Sequence, residues 1–486
     1  MFKFFKKNKF NILLFLITFV LWFLIDENSP FYAFNNYIDV SIYYNIGKML
    51  TYGKELYFDL TDTKGPYMFF IGAISYLLNK NFLFFFILNL VSIMTFMFFN
   101  FKILKKYFND CVSFIFTLFC FFVFSVYFDY FGSPEFLIIG IISIFIYWLL
   151  NNGFNKENSK IFFFFGIFTS FILLTKINYL LGFGIIAICY IINSFVKKKR
   201  IFKEFLFFTL GFILGCIPLI IYDFINGKFL VYFIEYIKLS IKYSHQEYLF
   251  SFPILFFIII LIIAILLFAN FFKYKDFNYI YIFLFFIGVI FSILITKRFY
   301  IYYIYLVAPF FVFIFTLYKT NIKNTLFRII FILLLFIYFL YNLFFGYIDA
   351  LECRELNKDI NNDYVYSFYQ DYKDKITEDS IIFGYLFIDT GVATYFDNQP
   401  TYKYYHCGNN SYEDFKEVYQ EYLSLLKNKE ADFVIASQLN GEYNRFVGLF
   451  KHPEYINEMD KILNENYIVD KEYEYNGFIK QVYIPK

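Results

Sequence analysis

The sequence predicts a helical protein that crosses a membrane many times and ends in a small extracytoplasmic α/β domain. Hydrophobic residues make up 60% of the 486 positions, charged residues only 17%, and the mean hydropathy is +0.56. A soluble domain has about 25% charged residues. Uncharged runs such as 10–25 and 252–272 match the roughly 20 helical residues that cross a hydrocarbon core about 30 Å thick.

Apolar runs of this kind predict about eleven membrane spans. The first is expected to stay attached, because no small-residue cleavage site follows it. Segment 66–78 is apolar but short, so we expect it to lie along the membrane surface or to re-enter without crossing. The spans are expected near 10–25, 81–101, 111–128, 135–150, 161–175, 179–196, 202–222, 250–271, 279–296, 299–318 and 326–346.

The distribution of lysines sets the expected orientation. Cytoplasmic loops carry an excess of Lys and Arg. If the N-terminus is cytoplasmic and 66–78 does not cross, every short lysine-rich connection falls on the cytoplasmic side. These connections are 102–106, 156–160, 197–200, 273–275 and 319–323. The outer side then receives the first loop (26–80), 129–135, the turn 175–179, 223–248 and 296–303.

The composition changes after residue 347, where Asp, Glu, Lys and Asn become frequent. Segments 380–388 and 431–437 are short and rich in β-branched and aromatic residues, which predicts strands. Segments 412–429 and 454–467 have apolar residues at helical spacing. We therefore expect a membrane domain over 1–346 and an extracytoplasmic α/β domain over 347–486, in which Cys353 and Cys407 could pair.

Charged residues collect at the connections that this topology places outside. In the first outer loop, the stretch GKELYFDLTDTKGPY (53–67) puts acids and lysines directly before the apolar segment. Taken singly, each charge has a structural explanation: a solvated helix face, a surface ion pair, a carboxylate at a helix N-terminus, or a lysine that reaches lipid phosphates. Those explanations do not account for their joint appearance on one face. The residues concerned are Asp39, Asp59, Asp62, Lys64, Glu135, Lys176 and Arg298.

The order of these motifs resembles the GT-C superfamily of glycosyltransferases that use polyprenyl-phosphate sugars. The likeness is strongest to its bacterial protein O-mannosyltransferases and aminoarabinose transferases. It rests on Asp39 in the first outer loop, GKELYFDLTDTKGP, and SPEFLIIG with Glu135. Two later motifs complete it, TKINYLLGFG with Lys176 and KRFYIYYIYLVAPF near residue 300. The resemblance covers residues 1 to about 346.

The resemblance implies transfer of a sugar from a polyprenyl-phosphate donor to an extracytoplasmic protein, lipid or polymer, with inversion at the sugar. Asp39 stands where the family has its general base. Arg298 is the first candidate to bind the leaving phosphate, because a guanidinium can hold a phosphate through two hydrogen bonds. Lys64 and Lys176 are the next candidates.

The resemblance also implies that further residues bind the substrate. The candidates are Tyr302 and Tyr303, which stand where the family often has His, together with Asp59, Asp62 and Glu135. No ligand-spacing pattern predicts a metal site, although a divalent cation could bind one of these three carboxylates. Membrane lipids are expected partners, and the sequence has no nucleic-acid-binding motif.

Two alternatives remain open at this point. A transporter or flippase of lipid-linked glycans would place ionisable residues near the middle of the spans, often with inverted repeats, and the sequence shows no repeat. A scaffold whose C-terminal domain binds a partner would leave Asp39, Lys64 and Arg298 without a role.

Overall fold

The computed structural model describes most of the chain. The described residues are 2–123, 131–154, 159–244, 254–296, 300–319, 333, 337, 340–341, 343–385, 391–405, 414–439, 442–443, 453–475 and 477–486. Cys407, Arg298 and most of the predicted span 326–346 lie outside these ranges.

Helices dominate the fold, and five strands occur after residue 380. The helices are α1 (Phe2–Ile25), α2 (Ile38–Thr51), α3 (Pro66–Asn79), α4 (Leu83–Leu104), α5 (Asp110–Val123), α6 (Pro134–Asn152), α7 (Ser159–Thr175), α8 (Leu180–Val196), α9 (Phe202–Ile225), α10 (Val231–Ser244), α11 (Ile254–Tyr274), α12 (Asn278–Leu294), α13 (Ile304–Val307), α14 (Asp349–Cys353), α15 (Tyr364–Tyr372), α16 (Lys416–Lys427) and α17 (Pro453–Asn466). The strands are β1 (Ile382–Tyr385), β2 (Phe433–Leu439), β3 (Glu442–Tyr443), β4 (Tyr467–Tyr475) and β5 (Phe478–Pro485). Further tight helical segments lie at Ile177–Tyr179, Ile301–Tyr303, Ala308–Lys319, Glu355–Lys358, Ile360–Asn362 and Gly391–Thr394, and a wider π-helical turn lies at Leu343–Ile348.

The chain forms two compact units. The first unit contains Met1–Phe31, Phe86–Tyr222 and Tyr248–Glu355, and the second contains Tyr32–Phe85, Asp223–Glu247 and Leu356–Lys486. Most of the first outer loop predicted from the sequence, the segment after α9 and most of the tail therefore belong to the second unit. The predicted domain boundary at 346/347 stays a prediction.

Six helices in the described ranges are long and apolar enough to cross a membrane. They are Asn8–Ile25, Leu83–Leu104, Pro134–Asn152, Ile177–Val196, Phe202–Ile225 and Phe256–Tyr274. Shorter apolar helices lie at Pro66–Asn79, Asp110–Phe122, Ser159–Thr175, Asn278–Leu294 and Ile304–Thr316. The protein is thus a multi-pass membrane protein. The number of eleven spans stays a prediction.

In the first unit, α7 and α9 approach each other closely at two glycines. A Cβ atom at Gly211 would lie 1.9 Å from the carbonyl oxygen of Phe163, and one at Gly166 would lie 2.1 Å from that of Phe208. Small residues at such contacts allow membrane helices to pack backbone against backbone. This contact fixes the position of α9 beside α7.

In the second unit, a mixed five-stranded sheet has the order β1-β2-β5-β4, with β3 beside β2. Strands β1 and β2 are parallel, and the other pairs are antiparallel. The strands predicted at 380–388 and 431–437 are confirmed as β1 and β2, and the helices predicted at 412–429 and 454–467 are confirmed as α16 and α17.

Side chains alternate between the two faces of this sheet, as strand geometry requires. Phe383, Val434 and Ala436 enter a core with α16 and α17. Their neighbours in sequence, including Ile382 and Ile435, enter a second core with α15. Both faces are therefore covered by helices, which explains why β1 and β2 are almost entirely apolar.

Candidate functional site

A buried carboxylate stands at the start of α6. Ser133 precedes the helix and its Oγ accepts a hydrogen bond from the backbone N–H of Phe136 at 3.3 Å, while Pro134 occupies the first helical turn. Serine is a preferred N-cap, and proline is well tolerated at the first position. Glu135 follows in the first turn, where the partial positive charge of the helix end favours a carboxylate.

The carboxylate meets a lysine at the end of α7. Lys176 follows the last helical residue in extended backbone, and its Nζ lies 2.6 Å from Oε1 of Glu135. The hydroxyl of Tyr179 donates to the same oxygen. The side chain of Glu135 is only 1% exposed and that of Lys176 is 14% exposed, so water screens this ion pair little.

Three tyrosine rings surround the ammonium group of Lys176. Its Nζ lies 5.1 Å from the ring centroid of Tyr179, 5.8 Å from that of Tyr302 and 5.1 Å from that of Tyr303. These distances are within the range of cation–π attraction. The structure thus brings together four residues that the sequence singled out: Glu135, Lys176, Tyr302 and Tyr303. Tyr179 was missed, although it lies in the same turn motif, TKINY, as Lys176.

This cluster retains unused hydrogen-bonding capacity. Oε2 of Glu135 is buried and has no hydrogen-bond partner among the described residues. A buried acceptor without a donor is unfavourable, which makes such an oxygen a receptor for a ligand hydroxyl. An ammonium group has three N–H donors, and Glu135 uses one of those of Lys176. The cluster can therefore accept a hydrogen bond from a ligand hydroxyl and donate to an anion.

The predicted residues of the first outer loop lie in the second unit. Oδ1 of Asp62 accepts a hydrogen bond at 2.9 Å from the backbone N–H of Lys64, and the hydroxyl of Tyr57 donates to the carbonyl of Lys64 at 2.8 Å. Asp62 is buried, whereas Asp59 is exposed and accepts from the backbone N–H of Glu55 at 2.7 Å. Asp59 and Asp62 thus shape the loop that carries Lys64 into the N-terminus of α3.

Asp39 lies in the first turn of α2 and is partly exposed. Its Oδ2 accepts a hydrogen bond at 3.2 Å from the hydroxyl of Tyr37. Ten consecutive residues of α2, from Val40 to Met49, are buried, so the helix is held firmly within the second unit. A carboxylate that is accessible at the end of such a helix can accept a proton from a bound molecule.

A salt bridge in the second unit was missed by the sequence reasoning. Glu55 accepts hydrogen bonds from the ammonium group of Lys228 and, at 2.9 Å, from the hydroxyl of Tyr232. The hydrogen bond from Lys228 lowers the pKa of Glu55. This contact joins the first loop to the segment before α10. The sequence did not predict it, because Glu55 and Lys228 are 173 residues apart.

Asp26, at the end of α1, is fully buried and was also missed. It accepts hydrogen bonds from the indole of Trp22 at 3.0 Å, from the side-chain amide of Asn89 at 2.9 Å, and from the backbone and side chain of Asn28. Both carboxylate oxygens are engaged by neutral donors. We therefore interpret Asp26 as a structural link between α1 and α4.

No group of three or more His, Cys, Asp or Glu side chains in the described ranges is arranged to hold a metal ion. Glu135 and Asp62 instead accept hydrogen bonds from a lysine side chain and a backbone amide, respectively. Arg298, the first sequence candidate for binding phosphate, lies outside the described residues.

Comparison with known proteins identifies the fold. No protein-family model matches the sequence, and no curated protein matches it. The crystal structure of ArnT from Cupriavidus metallidurans bound to undecaprenyl phosphate aligns with a TM-score of 0.57, 11% identity and 98% coverage of both chains. The apo form of the same protein aligns with a TM-score of 0.56, 12% identity and 98% coverage of both chains. The chain therefore has the fold of ArnT.

The GT-C resemblance predicted from the sequence is therefore confirmed at the level of the fold. The alignment with ArnT extends over nearly the whole chain, whereas the resemblance in sequence motifs ended near residue 346. The assignment of roles to individual residues remains a proposal.

Proposed function

We propose that the protein is an integral membrane glycosyltransferase that moves a sugar from a polyprenyl-phosphate donor to an acceptor outside the membrane. Within the GT-C fold, one observation carries the proposal. Lys176 holds an ammonium group 2.6 Å from a buried carboxylate and among three tyrosine rings. A fixed cation in a poorly hydrated site stabilises the negative charge that develops on a leaving phosphate.

The reaction is a single displacement with inversion. An acceptor hydroxyl oxygen forms a bond to the anomeric carbon of the sugar. The bond between that carbon and the phosphate oxygen breaks, and its electron pair leaves with the polyprenyl phosphate. Asp39 takes the proton of the acceptor hydroxyl as general base. Lys176, Lys64 and Arg298 bind the departing phosphate.

The remaining residues orient the sugar and the loop. Oε2 of Glu135 accepts a hydrogen bond from a sugar hydroxyl, which supplies the partner that this oxygen otherwise lacks among the described residues. Tyr302 and Tyr303 border the same lysine and offer hydroxyl groups to sugar or phosphate. Asp59 and Asp62 hold the turn that presents Lys64.

The proposed orientation follows the lysine distribution. The N-terminus is cytoplasmic, the catalytic membrane domain comprises residues 1–346, and the α/β domain of 347–486 is extracytoplasmic. The acceptor is a protein, lipid or cell-surface polymer on that outer side.

A transfer assay tests this proposal. Membranes that lack the protein would be supplied with wild type, Asp39→Asn or Lys176→Met and with radiolabelled polyprenyl-phosphate sugars, and label would be followed into protein, lipid and polymer fractions. We expect transfer by wild type and a loss of at least about 100-fold in both variants. Asp379→Asn, at an exposed acid of the tail, is the matched control and should retain full transfer.

Equal transfer by wild type and Asp39→Asn would remove Asp39 from the mechanism. If folded wild type transfers no sugar from any donor but carries lipid-linked glycan across reconstituted vesicles, the protein is instead a transporter.

A further inference from the structure

The first unit contains a large apolar cavity apart from the cluster around Lys176. It has a volume of about 380 Å³ and lies between α6, α7, α8 and α9. Pockets of about 300–1,000 Å³ accommodate small ligands. Aromatic side chains dominate its wall, among them Phe145, Trp148, Phe162, Phe165 and Tyr190. Such a surface suits a hydrocarbon chain.

One carboxylate interrupts this apolar wall. Glu204, in the first turn of α9, lines the cavity and is only 8% exposed. Its Oε2 is buried and has no hydrogen-bond partner among the described residues. A carboxylate in this position favours a ligand that brings its own positively charged donor, because a charge-assisted hydrogen bond offsets the cost of burial.

Basic residues lie near Glu204 in the sequence and beside the cavity. The connection from α8 to α9 carries Lys197, Lys198, Lys199 and Arg200, and Lys203 follows in the first turn of α9. Lys199 donates a hydrogen bond at 3.1 Å to the carbonyl of Phe154, which itself lines the cavity. Basic groups between membrane helices attract lipid phosphates.

We propose that this cavity binds phosphatidylethanolamine, a phospholipid that combines the two headgroup charges the site calls for. Its ammonium group pairs with Glu204, its phosphate lies against the basic connection, and one acyl chain fills the space among the aromatic rings. A phospholipid without an amine meets the cations but leaves the carboxylate without a charged partner. This lipid site is independent of the proposed transfer reaction.

Native mass spectrometry of the purified full-length protein tests the proposal. Wild type would be incubated with equal amounts of dioleoyl phosphatidylethanolamine and dioleoyl phosphatidylglycerol. We expect phosphatidylethanolamine to be the preferred adduct. Glu204→Gln preserves side-chain shape and should reduce that adduct about tenfold, since a hydrogen bond between charged groups is lost. Binding of phosphatidylglycerol should change little.

A second variant fills the cavity without disturbing the helices. Gly184 lines the cavity, and a Cβ atom there would meet nothing within 4 Å. Gly184→Leu should therefore fold normally and lose both adducts. Glu235→Gln, which removes a carboxylate of the second unit that pairs with Lys238, is the matched control and should bind both lipids as wild type does.

Three results would overturn the proposal. The first is unchanged binding of phosphatidylethanolamine by Glu204→Gln or Gly184→Leu. The second is a preference of wild type for phosphatidylglycerol. The third is displacement of phosphatidylethanolamine from wild type by an equal amount of a polyprenyl phosphate, which would make the cavity a site for the carrier lipid.

Discussion

Glu135 and Lys176 form a salt bridge between the beginning of α6 and the end of α7, with 2.6 Å between Oε1 and Nζ. The carboxylate is almost completely buried. Removing one member of a buried pair is costly because the other charge stays behind without compensation. The bridge therefore has two separable effects, one on stability and one on the proposed chemistry.

We expect Lys176→Met to destabilise the protein by about 3–5 kcal/mol, because Glu135 then remains buried and unpaired. Glu135→Gln should cost less, because the ammonium group of Lys176 is partly accessible to water and its amide partner can still accept a hydrogen bond. Thermal or denaturant unfolding in detergent would measure both changes.

The double variant Glu135→Gln/Lys176→Met separates the two effects. It leaves no buried charge, so most of the stability lost in Lys176→Met should return, while sugar transfer should stay absent. Restored transfer in the double variant would mean that Lys176 acts only through folding. Lys238→Met, at an exposed ion pair, is the matched control for stability.

A second expectation concerns Lys48, which is fully buried in α2. Its ammonium group donates to the backbone carbonyls of Ala393 and Phe396, at 2.5 Å each. Burial lowers the pKa of Lys48 to about 7, nearby Lys80 adds to this, and Asp397 opposes it. In the unfolded chain the lysine keeps a pKa near 10.4.

The free energy of unfolding contributed by Lys48 is expected to rise with pH between about pH 7 and pH 10. In that range the unfolded chain binds a proton that the folded protein has released. Below about pH 7 Lys48 is protonated in both the folded and the unfolded state, so the cost of burying its charge does not change with pH. The difference in unfolding free energy between wild type and Lys48→Met should therefore change across pH 7–10. A constant difference would contradict a lowered pKa, and Lys54→Met in the following turn serves as control.

Lys48 also shows where sequence reasoning stops. A lysine in the last turn of a helix is favoured by the helix dipole and looks like a solvated residue, so nothing local marks it as buried. Its burial results from backbone carbonyls more than 340 residues later in the chain. Similarly, the contact between Tyr179 and Glu135 depends on how the start of α6 packs against the turn that follows α7.

The elements themselves were more accessible to prediction. Uncharged runs such as 252–272 and the short segments of β1 and β2, rich in β-branched and aromatic residues, reflect local burial, which the sequence records directly. Of the candidate site, Glu135 and Lys176 were identified because they stand at the ends of apolar runs, whereas Tyr302 and Tyr303 followed from the family resemblance. It could not show that Glu135 and Lys176 form an ion pair.

A third expectation concerns the salt bridge between Lys228 and Glu55, whose side chains are 35% and 29% exposed. Partly solvated pairs contribute about 0–1 kcal/mol. Lys228→Met keeps most of the packing on the ring of Phe58, 4.2 Å from Nζ, so it should cost at most about 1 kcal/mol and reduce the salt dependence of stability.

The pH dependence of this salt bridge comes from a carboxylate whose charged form is stabilised, whereas that of Lys48 comes from an ammonium group whose charged form is destabilised by burial. Lys228 lowers the pKa of Glu55, so the stabilisation is complete above the ordinary glutamate pKa near 4.3 and is lost as the pH falls through the lower folded value. Acid unfolding of wild type and Lys228→Met should converge at low pH. A constant difference down to pH 2 would assign the effect to packing on Phe58 instead.

A fourth expectation concerns the contact between α2 and α3 in the second unit. A Cβ atom at Gly72 would lie 2.0 Å from the carbonyl oxygen of Tyr43, and one at Gly47 would lie 2.3 Å from the backbone nitrogen of Ala73. Because these neighbours are backbone atoms, neither can rotate away. Overpacking of this kind costs about 1–3 kcal/mol or more. Gly72→Ala and Gly47→Ala should therefore destabilise the second unit and separate the helix that carries Asp39 from the one that follows Lys64.

Gly184→Ala provides the comparison, because a Cβ atom at that helical glycine meets nothing within 4 Å and alanine is favoured over glycine in a helix. It should leave stability unchanged or raise it by up to about 1 kcal/mol. Hydrogen exchange over Ile38–Thr51 and Pro66–Asn79 would locate the effect. Faster exchange in both helices of Gly72→Ala, with slow exchange retained in α8, is the expected pattern. Unchanged exchange in α2 and α3 would mean that the added methyl group does not loosen the contact between these helices. The close packing of α2 on α3 would then not be what holds Asp39 and Lys64 in a fixed relation.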